Sequence, residues 1–202
     1  MKYPKLRELK EAVKALIKGP YTSKFPKTTH TPHPNFRGRP KFYEEGCVGC
    51  LACENVCPVG AIAHEDTLQK EPARKMIHYS DTCIFCGQCQ IYCITQKGIK
   101  LSNDWELSMF DRKECAESID KELLLCDCCG EVLACKDHLL WIAKEIGELS
   151  YSNPTIYMTR LKELGLSDQD VKASQEYASR SDRMKVLCAR CRRKTTLTTE
   201  KK

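Results

Sequence analysis

Twelve of the fifteen cysteines in this 202-residue chain fall into three groups with the spacing of metal ligands. Cys47, Cys50, Cys53 and Cys57 follow C-x-x-C-x-x-C-x-x-x-C with Pro58 next, and Cys83, Cys86, Cys89 and Cys93 repeat that spacing 36 residues on. Three thiolates at three-residue intervals can wrap one iron–sulfur cubane in a tight loop, while the fourth, expected at the start of a short helix, points to a second cubane. The spacing therefore predicts two [4Fe-4S] clusters with crossed ligands: Cys47, Cys50, Cys53 and Cys93 for the first, and Cys57, Cys83, Cys86 and Cys89 for the second. Gly49 and Gly87 let the backbone approach the clusters and offer N–H groups to their sulfurs. Pro58 suits the first turn of a following helix, and Gly60-Ala61-Ile62 and Gly98-Ile99 read as turns into short strands that cover the clusters. Ile94 stands where the pattern has proline. Paired C-x-x-C units also serve as zinc knuckles, but two complete four-cysteine runs favour cubanes. All eight positions are filled by thiolates, with no open coordination site and no acid, base and nucleophile set. The chain is thus expected to carry electrons rather than to be an enzyme by itself.

The third group is Cys126-x-x-Cys129-Gly130 and Cys188-x-x-Cys191, two knuckles separated by 58 residues. Four thiolates predict a closed tetrahedral site for zinc, and a rubredoxin-like single iron fits the same ligands. The long separation requires an insertion between the knuckles, and its pattern is helical. Leu139, Leu140, Ile142, Ala143, Ile146 and Leu149 form a broad apolar face, and Ser167-x-x-Asp170 is placed to cap a second helix over residues 168 to 180. Arg190, Arg192 and Arg193 would offset the negative charge of four thiolates. A rival set, Cys126, Cys128, Cys129 and Cys135, would make the first segment self-sufficient, although adjacent cysteines seldom share one metal. Otherwise Cys115, Cys128 and Cys135 are expected as free thiols.

The elements that must position these groups read as three segments: an arm over 1–41, a cysteine repeat over 42–114 and a module over 115–202. The net charge of +6 is uneven, with 11 Lys/Arg against 2 Asp/Glu in residues 1–41 and 7 against 11 in residues 42–114. In residues 5–18, Leu6, Leu9, Val13, Leu16 and Ile17 recur at helical spacing, with Lys5, Lys10, Lys14 and Lys18 on the other faces. This basic amphipathic helix is expected to dock on a partner subunit or a membrane interface. Pro20, Pro26, Pro32, Pro34 and Pro40 then favour an extended strap, in which His30 and His33 are expected to make polar contacts. No run approaches the ~18 apolar residues of a membrane span, and the N-terminus lacks a secretory apolar segment. The cysteines are therefore expected as ligands in a reducing cytosol, and membrane contact as peripheral, at the cytoplasmic face of the cell membrane.

The order of basic helix, proline strap, Phe36-Arg37-Gly38-Arg39, two ferredoxin motifs and Trp105-Glu106-Leu107-Ser108 resembles chain I of respiratory complex I and its hydrogenase relatives over residues 1 to about 115. The resemblance implies an α+β fold: a bacterial 2[4Fe-4S] ferredoxin-like domain with an N-terminal amphipathic helix and extended arm, plus a C-terminal helical, zinc-ribbon-like module with a four-cysteine metal site. It also implies an arm that clamps the subunit to its complex, with Arg37 and Arg39 as anchors. The cysteine-rich tail is similar to that of the small ferredoxin-like subunit of formate hydrogenlyase, hydrogenase-4 and energy-converting [NiFe] hydrogenases, though its first knuckle reads Cys126-Asp127-Cys128-Cys129. That resemblance implies relay between a ferredoxin-, formate- or CO-oxidising input and a membrane-bound [NiFe] hydrogenase. The implied partners are the hydrogenase large and small subunits, a membrane subunit and a ferredoxin or ferredoxin-like input subunit. A complex I-type relay to quinone is the alternative. A free ferredoxin would have little use for a basic strap, and nucleic-acid binding is disfavoured because residues 115–202 are nearly neutral.

Overall fold

A computed structural model describes residues 5–19, 22, 24, 27–166 and 185–197. The expected helix over 168–180 lies outside the described residues. The chain divides into two compact units, Met1–Phe36 and Arg37–Lys202. In the first, helix α1 spans Leu6–Lys18. It begins where the Glu8 carboxylate accepts a hydrogen bond from the Lys5 N–H at 3.0 Å, and ends at Gly19 with φ +79°. None of its side chains is buried, and Leu6, Leu16 and Ile17 are each at least 80% exposed. In the strap, His33 Nδ1 accepts from the Asn35 N–H at 3.1 Å, a local polar contact as the sequence predicts.

The second unit carries all fifteen cysteines. Its strands are β1 (Pro40–Phe42), β2 (Ile62–Thr67), β3 (Ala73–Tyr79), β4 (Ile99–Leu101), β5 (Ala116–Leu125) and β6 (Val132–Cys135). Strands β1 and β4 form a small antiparallel ribbon, and β2-β3-β5-β6 form a four-stranded antiparallel sheet. Helices α2 (Ala52–Asn55) and α3 (Gln88–Ile91) lie within the two cysteine motifs, each before its fourth cysteine. This corrects the expectation that Cys57 starts a helix with Pro58 in its first turn: Cys57 and Pro58 follow α2 and lead through a turn into β2. The strands after Gly60 and Gly98 form as predicted, at Ile62 and Ile99.

Side chains alternate across a strand, so the sheet presents one face built from every second residue. Register aligns Ile62, His78 and Glu117 in one row, His64, Met76 and Ile119 in the next, and Asp66, Arg74 and Lys121 in a third, across β2, β3 and β5. This face meets the cysteine loops. Phe42, Cys53, Ile62, Met76, Cys89 and Ile99 form the core there, with Leu51, Cys93 and Ile119 packed against it.

Strand β5 begins at residue 116, so the sheet runs from the cysteine repeat into the C-terminal segment without a break. The hairpin β5–β6 turns through Cys126–Gly130, with Leu123 opposite Cys135 and a register shift between Leu124 and Leu125. Helix α4 (Lys136–Ile146) follows at once, and α5 (Pro154–Glu163) packs beside it. Asn153 Oδ1 caps α5, accepting from the Thr155 N–H at 3.0 Å, with Pro154 at the first helical position. Ala143, Ile156 and Met158 are buried, whereas Ile146 and Leu149 of the predicted apolar face are exposed. Helix α6 (Ala189–Leu197) closes the described chain.

Leu123, 3% exposed near the C-terminal end of β5 where β6 pairs with it, supports the junction between β5 and β6. Leu123→Ala is expected to cost about 2–5 kcal/mol of stability. Leu16→Ala, on the exposed face of α1, should stay within about 0.5 kcal/mol. Thermal unfolding followed by circular dichroism checks both.

Candidate cluster and metal sites

Each cysteine motif winds around a cavity, and each cavity takes cysteines from both motifs. Cys47, Cys50, Cys53 and Cys93 line a cavity of about 320 Å³ with Phe42, Leu51, Met76, Thr95 and Ile99. Cys57, Cys83, Cys86 and Cys89 line a second, of about 330 Å³, with Pro40, Ala61, Ile62, His78 and Ile84. The crossed grouping is the one the spacing predicts. Strand β1 gives each cavity one wall, through Phe42 and Pro40, and β3 gives each another, through Met76 and His78.

The loops reach this shape through left-handed backbone at equivalent positions. In the first motif Gly49 (φ +68°) and Leu51 (φ +65°) adopt it, and in the second Phe85 (φ +54°) and Gly87 (φ +80°) do so. Each loop thus has one glycine and one residue with a side chain. Left-handed backbone costs a non-glycine residue about 1–2 kcal/mol, so Leu51 and Phe85 are held there by their surroundings. Thr95, just after Cys93, ties the end of the second motif to the start of the first: its hydroxyl donates to Gly46 O at 2.7 Å and accepts from the Gly98 N–H at 3.1 Å.

Burial dominates the thiol chemistry. It pushes the Cys53 thiol up to about 12 and the Cys89 thiol up to about 11, and raises Cys47, Cys50 and Cys83 as well. At Cys93 the opposing hydrogen bonds, led by that of Thr95, outweigh burial and lower it. Backbone N–H groups point at the sulfurs, Ala61 N at 3.2 Å from Cys57 Sγ and Phe85 N at 3.4 Å from Cys83 Sγ. Buried thiolates require a strong cationic partner, and four sulfurs around an apolar hollow with N–H donors behind them match an iron–sulfur cubane.

Sequence spacing carried no sign of the groups that brace the first loop from behind. Arg74 donates to Gly49 O at 3.1 Å while its guanidinium makes a two-point bridge to Asp66, both contacts at 2.8 Å. Lys121, 8% exposed at its side chain, donates to Glu44 O at 2.6 Å and faces Asp137 at 3.1 Å. Cys135 is fully buried with its Sγ 3.5 Å from Gly49 O. These residues come from β3, β5 and β6, far from the motif in sequence, and only the sheet register brings them under it. The second loop has Arg37, whose Nη1 reaches Cys86 O at 3.5 Å. Arg39 pairs with Asp104 at 3.8 Å and Glu117 at 4.0 Å. The described partners of both arginines lie within the cluster-bearing unit.

His78 is 1% exposed in the wall of the second cavity, and neither ring nitrogen has a hydrogen-bond partner among the described residues. Burial, with the nearby Arg39 charge, holds its pKa down to about 4, so the ring is neutral near pH 7.

At the tip of β5–β6, the Sγ atoms of Cys126, Cys129, Cys188 and Cys191 all lie within 4.8 Å of one another, with Cys129 and Cys188 at 3.8 Å. A tetrahedral zinc with Zn–S near 2.3 Å spaces its sulfurs about 3.8 Å apart, so the donor set fits. The two knuckles are stitched by the Asp127 N–H to Val186 O at 2.9 Å, by the Val186 N–H to Asp127 Oδ2 at 2.6 Å and by the Cys188 N–H to Cys126 Sγ at 3.3 Å. Burial would raise the Cys126 thiol, but backbone N–H groups from Cys188, Cys129 and Cys128 bring it down to about 6. The rival set is not assembled, because Cys135 sits at the far end of β6 against Gly49. Cys128 is exposed outside the four-sulfur group, and Cys115 lies against Met109 with the sulfurs 3.6 Å apart.

Two cysteine-lined cavities between a small ribbon and an antiparallel sheet define a ferredoxin-like iron–sulfur protein, and the model of the 4Fe-4S dicluster domain matches residues 46–97. Formate hydrogenlyase subunit 6 of Escherichia coli is 31% identical over 145 residues, covering 70% of this chain and 79% of that protein. NAD(P)H-quinone oxidoreductase subunit I of Gloeobacter violaceus is 35% identical over 99 residues, covering 47% of each, so the chain spans about half the length of that relative. Among solved structures, a chain of the membrane-bound sulfane sulfur reductase, an archaeal respiratory membrane complex, aligns with a TM-score of 0.40 at 27% identity, covering 57% of this chain and 61% of that one. The chain belongs to the iron–sulfur family of formate hydrogenlyase subunit 6 and quinone oxidoreductase subunit I.

A side chain at position 49 would overlap Cys135 Sγ, whereas Gly60, also left-handed at φ +63°, faces open space. Gly49→Ala is expected to lower cluster iron by about half, with Gly60→Ala keeping nearly all of it. Iron per chain, measured by plasma emission spectroscopy, checks the pair.

Proposed function

We propose that this chain is a fixed relay subunit of a membrane-associated oxidoreductase complex, carrying electrons through two [4Fe-4S] clusters toward a [NiFe] hydrogenase. The observation that carries this reading is the presence, in one body, of two apolar cavities each lined by four cysteines. Such clusters, when bound, exchange single electrons without making or breaking substrate bonds. Cys47, Cys50, Cys53 and Cys93 are assigned to one, and Cys57, Cys83, Cys86 and Cys89 to the other. The remaining residues insulate and brace: Phe42, Met76 and Ile99 exclude water from the first site, and Pro40, Ala61 and Ile62 from the second. Cys126, Cys129, Cys188 and Cys191 are assigned to one zinc, or a single iron on the same ligands, with a structural role because a closed thiolate cage leaves no position for substrate.

The hydrogenase setting rests on the extent of the match to formate hydrogenlyase subunit 6. An alignment of 145 residues cannot fit within the ferredoxin-like part and so reaches into the C-terminal module. Large and small hydrogenase subunits, a membrane subunit and a ferredoxin-like input subunit are the proposed neighbours. The apolar face of α1, exposed in its own unit and flanked by lysines, is the proposed docking element, and it would hold the subunit peripherally at the cytoplasmic face of the membrane. A quinone-linked complex is the second reading, favoured by the 35% identity to subunit I.

Purification of the native assembly tests the proposal. Nickel in a co-purifying subunit, with about eight irons and one zinc at this chain's own sites, is the expected result. Quinone reduction by a nickel-free assembly would move the assignment to the second reading, and iron well below this amount would overturn both. Crossed ligation has its own check: Cys93→Ser should deplete the cluster of the first motif and Cys57→Ser that of the second, followed by electron paramagnetic resonance of the reduced protein. Cys188→Ser should release the zinc and leave about eight irons in place.

A further inference from the structure

Met76 and His78 stand two residues apart on the same face of β3 and occupy corresponding places, Met76 in the wall of the first cavity and His78 in that of the second. In other respects the cavities follow one plan, with four cysteines, a wall from β1 and two left-handed residues in each loop. This pair breaks the symmetry. A thioether has no proton to donate, whereas a neutral imidazole carries one N–H.

That N–H has no partner among the described residues, although the ring is almost fully enclosed. Leaving a buried donor unmet is costly, so such a group calls for an acceptor in the space it faces. Its cavity neighbours Pro40, Ala61 and Ile62 present apolar side chains. The charged residues beside it, Glu117 opposite on β5 and Arg39 just before β1, lie 4.0 Å apart and make no hydrogen bond to the ring, although Glu117 Oε2 is itself buried without a hydrogen-bond partner among the described residues. The other polar groups lining the cavity are the Gln88 amide, which makes no hydrogen bond to the ring, and the four cysteine sulfurs.

We propose that His78 donates its ring N–H to a sulfur of the cluster held by Cys57, Cys83, Cys86 and Cys89, and so raises the reduction potential of that cluster above the value its cavity would otherwise give. This rests on the two-cluster reading above. A hydrogen bond to sulfur stabilises the reduced form, which carries one more negative charge, more than the oxidised form. Met76 provides no such donor at the first cluster. The side chains on β3 therefore bias the added electron toward the second site, and His78 is a positioning residue for the electron rather than a ligand.

The test uses the full chain in its native assembly, titrated reductively with detection by electron paramagnetic resonance. His78→Met makes the two cavities alike. The midpoint of one cluster should fall by an amount equal to about a tenfold change in its reduction equilibrium, which is about 59 mV for one electron, while the other stays in place. His78→Gln, which keeps an N–H donor, should recover part of the shift. Equal shifts in both clusters, or none, would overturn the proposal. A measurement on the unaltered protein does not depend on the variants folding: with ¹⁵N-labelled histidine, pulsed resonance of the reduced second cluster should detect a coupled ring nitrogen and one exchangeable proton. Two intact clusters without that coupling sink this inference alone. Fewer than two clusters in the unaltered protein would remove the relay reading and this inference together.

Discussion

The constraint on which this protein depends is the cost of taking thiolates out of water. Burial drives the Cys53 and Cys89 thiols up to about 12 and about 11, so without a cationic partner these two would stay protonated and offer poor ligands. Iron removes that penalty, and the fold is arranged as a shell that makes the exchange possible. Apolar residues from β1, β3 and β4 enclose the first set of four sulfurs and apolar residues from β1 and β2 line the second, and short helices and left-handed turns aim backbone N–H groups at them. Much of the core lies against these cavities, so a cluster bound there would add to the stability of this unit.

The C-terminal segment is part of that shell rather than an appendage. Strand β5 extends the hairpin that covers the cavities, and Lys121 on it, with Cys135 on β6, backs the loop of the first motif. The other end of the same hairpin carries Cys126 and Cys129, whose sulfurs meet those of Cys188 and Cys191. A metal there would fix the hairpin tip while its base braces an iron–sulfur loop. The extra module thus has a physical reason to accompany the repeat, whatever complex the chain serves.

Left-handed geometry shows how the two loops share a plan but not a sequence. Gly49 and Gly87 fall at different places in their motifs, and the complementary positions are filled by Leu51 and Phe85. At Gly49 the reason is steric as well as conformational, since Cys135 occupies the space a side chain would need. At Gly87 an added carbon would press only on the end of Leu101, so the backbone angle is the larger constraint.

The grouping of the cysteines was legible in the sequence because motif spacing records it. Three-residue spacing determines which sulfurs can share a loop, the strands after Gly60 and Gly98 follow from glycine and β-branched residues, and the third cysteine group follows from its paired knuckles. The position of Pro58 was misread because a four-residue helix ends before the fourth cysteine, a choice that short-range propensity does not encode. What lay beyond the sequence was everything that depends on strand register. That Arg74 and Lys121 sit behind the first loop, that Cys135 belongs to that loop and not to the knuckle, and that Met76 and His78 look into different cavities are decided by which residues pair across β2, β3, β5 and β6. A shift of one residue would turn each of them to the opposite face, and spacing along the chain carries no record of that choice.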